Sequence, residues 1–502
     1  MLGPISAESP SEGIASLGNL VPSSASANQF KTLRPDTVGT IGLLFQAMGQ
    51  EAPIAIFAGS ITGASAYALG ATPLSFVFAM LAVLLAGSTI FQYSKRLTSA
   101  QGYYGYVTDG LGRYPGAFTS YMYVVYQIIN VCFIILIYLW TFALSLNFVF
   151  GTNLPNSVGI PFVAIEAGAV FVTVYLGLRP SVIVLTALGL VESAVVIIFS
   201  LVFLAHSTPL SGAPFTQITP PGINAVFLGF ITGSYFAYAG YGSIVPLGEE
   251  AKTPHKTIGR AVLYLILFIS VIYLLGAYAQ VEGWGIANMG SFASSGFPGA
   301  ILAQQFIGLW AAAVVIILYN LVMFTPLVSM ITALSRNFYA MGRDGLLSER
   351  FTRLSPRFRT PSTAIFVSAA VVTVLCVIWG AAFNAEYGFS NGIFYAWIIF
   401  LVISTLSTLT IHILANSALT ATLRGRGVTG MRAMTHVLFP SVSSIIILVA
   451  IYYSVTSGLL WPAILGPILF GVIFLAIVAV VAVSRKRVRA MPAPPVRAEA
   501  AD

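Results

Sequence analysis

Apolar residues in this chain neither alternate with polar ones nor leave a polar stripe at helical spacing. They run on for twenty or more positions between short polar segments. A spanning helix needs about 20 mostly apolar residues. Twelve such runs can be marked, at 39–65, 73–93, 115–147, 158–177, 182–205, 223–247, 258–280, 307–335, 363–383, 391–416, 436–456 and 462–483. The third and eighth exceed what a bilayer requires, so they should tilt or protrude. The lack of period-two alternation argues against a transmembrane barrel. The pattern therefore predicts an all-α membrane protein of 12 transmembrane helices. Residues 1–36 are Ser-rich and polar, with Glu8 and Glu12 ahead of Lys31 and Arg34. They lack the basic-then-apolar order of a signal peptide and read as a disordered cytoplasmic tail. Residues 484–502, from Arg485 through Pro494 and Pro495, read the same way.

Charge placement sharpens the topology. None of the six segments expected outside (66–72, 148–157, 206–222, 281–306, 384–390 and 457–461) holds a Lys or Arg, so all 23 fall in the inner segments. By the positive-inside rule both termini are cytoplasmic in a multi-pass plasma-membrane protein. The net charge of +8 then marks the anionic inner leaflet rather than a nucleic-acid partner. With 58% hydrophobic and 8% charged residues, the chain has too few charges to cover a water-facing surface, which excludes a soluble enzyme. Its two cysteines, Cys132 and Cys376, support neither a disulfide framework nor a metal site, and no cofactor motif is present.

Two spans carry interruptions near their middles. The first holds Ala47-Met48-Gly49-Gln50-Glu51-Ala52-Pro53. Proline removes a backbone donor and clashes one turn back, so the helix should open near 48–52. The sixth holds Gly233-Ser234 and then Ala239-Gly240-Tyr241-Gly242. Paired interrupted helices, one per half, are the best sequence pointer to a transporter's midplane site. The offset of five between them, shared by long spans three and eight, gives an inverted 5+5 repeat with two extra helices. The first repeat would occupy 37–205, the second 223–416 and the extra helices 436–483. The plainer alternative is that these Gly and Pro serve only packing and kinking.

Three motifs then carry a resemblance. Phe236-Ala237-Tyr238-Ala239-Gly240-Tyr241, with Gly248-Glu249-Glu250, Pro254, Ile258 and Ala261, resembles the sixth-span signature of the amino acid–polyamine–organocation permeases. Ser99-Ala100-Gln101-Gly102-Tyr103-Tyr104-Gly105-Tyr106 through Gly112 is similar to that superfamily's loop between spans two and three. Arg336-Asn337-Phe338-Tyr339-Ala340-Met341-Gly342-Arg343-Asp344-Gly345 resembles its loop after span eight, closed by Thr360-Pro361. The resemblance implies a LeuT-type fold in which spans 1, 2, 6 and 7 rock against 3, 4, 8 and 9. It places the substrate carboxylate on exposed amides of span one, here Met48, Gly49, Gln50 and Glu51. The substrate ammonium falls on carbonyls of span six, here Phe236, Ala237, Ala239 and Gly240, with Phe236 as a cap. Many relatives have a small Gly-Ser-Gly-like run where this chain has Gly49-Gln50-Glu51, and an acid where Gly242 stands.

Charge in hydrocarbon costs several kcal/mol, so intramembrane carboxyls are functional candidates. Glu51 and Glu192 are the proton-coupling candidates. Glu51 could equally act as counter-ion to an amine, and Glu192 as an interhelical hydrogen-bond partner. Glu166 reads as a packing carboxyl. Asn130 and Asn320, near the middles of spans three and eight, are candidate substrate contacts, while His412 and His206 read as interfacial. Thr325, Ser329 and Thr332 could serve a sodium ion, although membrane hydroxyls commonly bond back to their own helix. Glu249, Glu250, Lys252, Lys256 and Arg260 should form a cytoplasmic polar cluster shaping the inner gate, with plain solvated charges as an equal rival. The expected function is a secondary active transporter of amino acids in the plasma membrane, with proton coupling through Glu51 or Glu192 as the expected drive. The alternatives are an organic amine or polyamine permease, an exchanger or, less favoured, a sodium-coupled carrier. An enzyme is disfavoured, since the four His form no ligand pair.

Overall fold

The computed structural model describes residues 32–216, 222–423, 430–456, 461–462 and 464–495. Eleven of its helices are long and apolar enough to cross a membrane. We label the helices in chain order: α1 Thr40–Ser60, α2 Thr62–Arg96, α3 Arg113–Phe150, α4 Asn156–Leu176, α5 Leu178–His206, α6 Ile223–Ala237, α7 Pro254–Trp284, α8 Leu309–Arg343, α9 Ser362–Tyr387, α10 Phe389–Ala421, α11 Gly430–Val449 and α12 Leu465–Val483. Only α6, in the place of the expected sixth span, is shorter than a full crossing. Beyond Ala237 the chain continues as a string of turns and one 3-10 turn, Val245–Leu247, until α7 begins at Pro254. Gly240, Gly242, Pro246 and Gly248 fall in that stretch and deprive it of helix formers and one donor. The expected interrupted span 223–247 is therefore half helix and half turns.

The most extensive helix pairs are α2 with α7 and α3 with α10. Helix α1 lies inside the bundle against α5, α7 and α8, with Leu43 to Glu51 buried in sequence. By contrast α4 buries only Gly159, Val170 and Val174 of its length, and α12 only Gly466, Ile477 and Val481. Such all-round apolarity with one inward stripe is what a lipid-facing helix requires. The loops at the two ends of the bundle meet separately. Asn156 donates to Ser390 and Trp461 to Tyr387 at one end. At the other, Arg113 donates to the Arg489 carbonyl and Thr360 to the Tyr175 carbonyl.

Two tail expectations change. Within the expected tail 1–36, residues 1–31 lie outside the described residues, but Leu33 is buried and Val38 forms a parallel bridge with Ala251. At the other terminus, residues 496–502 lie outside the described residues, while Arg485–Ala490 is a helix. Val488 and Met491, one turn apart, bury fully and give that helix an inward face.

Candidate functional site

The break in α1 is narrower than the sequence suggests. The helix stays regular to Glu51, and a single residue, Ala52, takes the left-handed conformation (φ 45°, ψ 69°). Pro53 then starts the next turn, a position where a missing N–H does no harm. Five residues of π-helix, Ile56–Ser60, follow. Helix α6 has a matching π turn at Phe230–Ser234 just before its own break. Pi turns of this kind recur at functional sites.

Several backbone groups at the α1 break find a side chain from a neighbouring helix. Pro53 cannot donate to Gly49, and the Thr325 hydroxyl of α8 donates to that carbonyl instead (3.0 Å). Ser329, one turn on, donates to the Gln46 carbonyl (2.7 Å). The Ile54 N–H donates to Glu192 Oε2 of α5 (3.2 Å). Tyr273 of α7 lies 3.0 Å from both the Glu51 carbonyl and the Ala237 carbonyl, sharing one proton between the two breaks. Tyr126 of α3 spans the same gap. It accepts from Gln50 Nε2 (2.9 Å) and donates to the Ala239 carbonyl (3.1 Å). The breaks approach closely because residue 240 is glycine: a β-carbon there would stand 2.7 Å from Cβ of Gln50.

Polar atoms without partners gather at this place. Both Glu51 carboxyl oxygens are buried with no hydrogen-bond partner among the described residues, as are Gln50 Oε1, both amide atoms of Gln46 and Asn130 Oδ1. The amides of Gly240 and Tyr241 approach the Glu51 carboxyl, and Asn130 sits beside the Tyr126 hydroxyl, without good hydrogen-bond geometry in either case. Buried polar atoms are normally paired, so a cluster of exceptions calls for an explanation. Phe236 is half-buried among buried neighbours and meets Phe133 edge-on at 5.1 Å. Phe133 in turn stacks on Trp397 at 5.9 Å. An aromatic column thus leads away from the breaks, beginning at the residue expected to cap a substrate.

The sequence candidates separate into groups. Met48, Gly49, Gln50, Glu51, Ala237, Ala239 and Gly240 come together at the facing breaks, with Phe236 and Asn130 at the margin. Asn320 does not: it donates to Ser145 and to its own Ile316 carbonyl, about five turns along α3 from Tyr126. Glu192 joins the group through the Ile54 N–H, whereas Glu166 stays on the outward helix α4. Thr325 shares its proton between the Gly49 carbonyl of α1 and the Val322 carbonyl of its own helix, and Ser329 spends its proton on the Gln46 carbonyl of α1. Two residues escaped the sequence reading, Tyr126 and Tyr273, and a third, His412, lies elsewhere than expected. His412, expected at an interface, is buried in α10. Its Nε2 lies 3.2 Å from the hydroxyls of Tyr103 and Tyr241, and Nδ1 lies 3.4 Å from that of Tyr235. The Tyr241 ring stacks on it at 5.3 Å. His412 and Tyr103, with Tyr123, Tyr126 and Thr408, line a small cavity directly beside Ala239.

Beyond that cavity, at the Lys- and Arg-rich end of the bundle, the segments that carried the three sequence motifs interlock. Arg336 of α8 pairs side-on with Glu250 (2.8 and 3.1 Å), the side chains being 0% and 3% exposed. Arg343 pairs with Glu249 (2.8 Å), which also accepts the Ala100 N–H (2.9 Å). Asp344 accepts from Gln101 Nε2 (2.6 Å) and the Tyr104 hydroxyl (2.8 Å). The expected cluster of Glu249 and Glu250 with Lys252, Lys256 and Arg260 is thus replaced by pairing with α8. The bidentate fork of arginine explains the preference for these partners.

The chain belongs to the amino acid permease family, whose model matches residues 42–490. It is similar to the branched-chain amino acid permease BcaP of Bacillus subtilis, 25% identical over 207 residues covering 41% of this chain and 43% of that protein. It is also similar to the methylthioribose transporter of Bacillus subtilis, 27% identical over 173 residues (34% and 36%). Cationic amino acid transporter 4 of Mus musculus is 29% identical over 162 residues (32% and 24%). The matched stretches span less than half the length of these relatives.

Proposed function

We propose that this family member is a secondary active transporter that carries an amino acid across the plasma membrane by alternating access, with both termini cytoplasmic and protons as the coupling ion. The observation that carries this reading is the pair of facing breaks in α1 and α6, bridged by Tyr126 and Tyr273 and surrounded by buried polar atoms without protein partners. A zwitterion suits that geometry. Its ammonium would take the carbonyls of Ala237 and Ala239, displacing the two tyrosine hydroxyls. Its carboxylate would take the α1 break, where Gln50 offers an amide and the turn after Ala52 points its N-terminal end. Phe236 closes the aromatic side.

Glu51 supplies the coupling. An ionised carboxylate in this place would repel the substrate's own, so binding of an amino acid and of a proton must rise together. Glu192, engaged with the Ile54 N–H, holds the break rather than carrying the proton. In this arrangement the ion pairs at the Lys- and Arg-rich end close the cytoplasmic path. The names of the relatives include branched-chain and cationic amino acids and a thiosugar, which supports small solutes as cargo and leaves the side chain open. A second reading, an organic amine held by ionised Glu51, is favoured by the two unpartnered carboxyl oxygens.

Uptake of radiolabelled neutral amino acids, basic amino acids and amines into proteoliposomes under an imposed pH gradient separates these readings. Gradient-driven amino acid uptake that Glu51→Gln abolishes while exchange persists is the expected result. Binding of amines alone, lost with the carboxylate, would move the substrate class. Undiminished gradient-driven uptake in Glu51→Gln would overturn the assignment of coupling to that residue.

A further inference from the structure

A second concave site lies outside the bundle's core, lined by Arg34, Pro35, Asp36, Thr37, Arg179 and Lys252. Its three cations come from three separate segments: the strap before α1, the first turn of α5, and the turns that follow α6. Among the described residues none of the three cations is in an ion pair, and Asp36 is the only acid in the lining. Like charges brought together without partners repel one another, so the arrangement favours an anion as occupant.

The surroundings say which kind. Helices α1 and α5 touch immediately above the pocket: a β-carbon on Gly42 would stand 2.6 Å from Val38 and 3.0 Å from Val182. On either side of that contact the chain exposes Ile41 (61%) and Ile183 (62%), apolar residues within the first two turns of their helices. A charged cup thus opens at the foot of a lipid-facing apolar wall. We propose that this pocket binds the phosphate of an anionic phospholipid, whose acyl chains lie along α1 and α5. Basic pockets of this kind at the cytoplasmic side are sequence-readable headgroup sites. The inference takes the Lys- and Arg-rich end to be the cytoplasmic one, as in the function proposed above.

The pocket is tied to the closed end of the transport path. The Thr37 N–H donates to the Glu250 carbonyl (2.8 Å), and the Lys252 N–H donates to the Val38 carbonyl (2.8 Å). Glu250 is the residue held by Arg336. Arg179, by contrast, sits in the first turn of α5. A phosphate bridging Arg34 and Lys252 to Arg179 therefore fastens the strap and the turns after α6 to α5 in the closed arrangement.

The test is a titration of delipidated full-length protein in detergent with phosphatidylglycerol, read by native mass spectrometry. Arg34→Gln and Arg179→Gln should each weaken lipid binding about fivefold, and Arg179→Lys should restore most of it. Lys486→Gln, an equal loss of charge outside the pocket, should bind as wild type. Millimolar inorganic phosphate should not displace the lipid. Equal affinity across the pocket variants would overturn the site, and displacement by inorganic phosphate would assign it to a soluble anion instead. If the Arg179 variants do not purify as folded protein, Lys252→Gln carries the same expectation. Because binding is read without transport, failure here is separate from failure of the proposed transport function.

Discussion

At the scale of single residues, two buried acids on neighbouring helices differ in what holds them. Glu192 gives one oxygen to the Ile54 N–H, a donor that the α1 break would otherwise strand. Glu51 gives neither oxygen to a protein donor of good geometry. Glu192→Gln preserves an acceptor for Ile54, so gradient-driven uptake should survive it. Glu192→Ala strands the donor, and a buried unsatisfied N–H costs about 1–3 kcal/mol, which should appear as a lower thermal unfolding midpoint in detergent. If Glu192→Gln instead abolished gradient-driven uptake at an unchanged midpoint, the proton would have to pass through Glu192. Both residues stand out in the sequence, since charge at membrane depth is costly. Their separate roles do not stand out, because the Ile54 N–H becomes a stranded donor only once α5 is laid against the break.

At the scale of elements, the α1 break illustrates how one covalent fact propagates. Pro53 has no N–H, so the carbonyl four residues back, Gly49, loses its partner. Thr325 fills the gap from α8. A double-mutant cycle tests whether the two facts are one. Thr325→Val should cost about 1 kcal/mol alone. The cost should shrink in a Pro53→Ala background, where residue 53 can donate to Gly49 again and the helix can close. Additive costs within about 0.5 kcal/mol would show the hydroxyl and the proline to be independent. The location of this break could be read from the order Gly49-Gln50-Glu51-Ala52-Pro53. Its confinement to Ala52 could not, because the length of an opening depends on how many side chains arrive to serve it. The same limit applies to α6. Gly240 and Gly242 signal an interruption, but the run of turns to Thr253 follows from Glu249 and Glu250 being drawn to α8. His412 was misread for a related reason: position near the end of an apolar run implies an interface only if nothing folds back over it. Here Tyr103 does, at the start of the short helix Tyr103–Leu111.

At the scale of the molecule, two ion pairs join the turns after α6 to α8, and their environments rank them. The Arg343–Glu249 side chains are 38% and 25% exposed, and pairs of that kind contribute about 0–1 kcal/mol. Arg336 and Glu250 are 0% and 3% exposed. Removing one partner of such a pair strands the other charge, at about 3–5 kcal/mol. Under the proposed alternating access, water reaches the pair only when that end opens, so the penalty falls on the closed arrangement alone. Since each 1.4 kcal/mol is tenfold, Arg336→Gln should shift the closed-to-open ratio by about a hundredfold or more, and Arg343→Gln by less than tenfold. A reporter cysteine at Ser243, buried and lining the cavity under Tyr126, can read this shift. Placed in a chain with Cys132 and Cys376 replaced by serine, Ser243→Cys should react slowly with a membrane-impermeant thiol reagent applied at the basic end. Arg336→Gln should speed the reaction strongly, Arg343→Gln only slightly. The charge-swapped pair Arg336→Glu with Glu250→Arg should recover part of the protection. Equal labelling rates in all four proteins would mean that the closed end is held by packing alone. The alternation of access would then have to be sought in the tyrosine bridges between the two breaks.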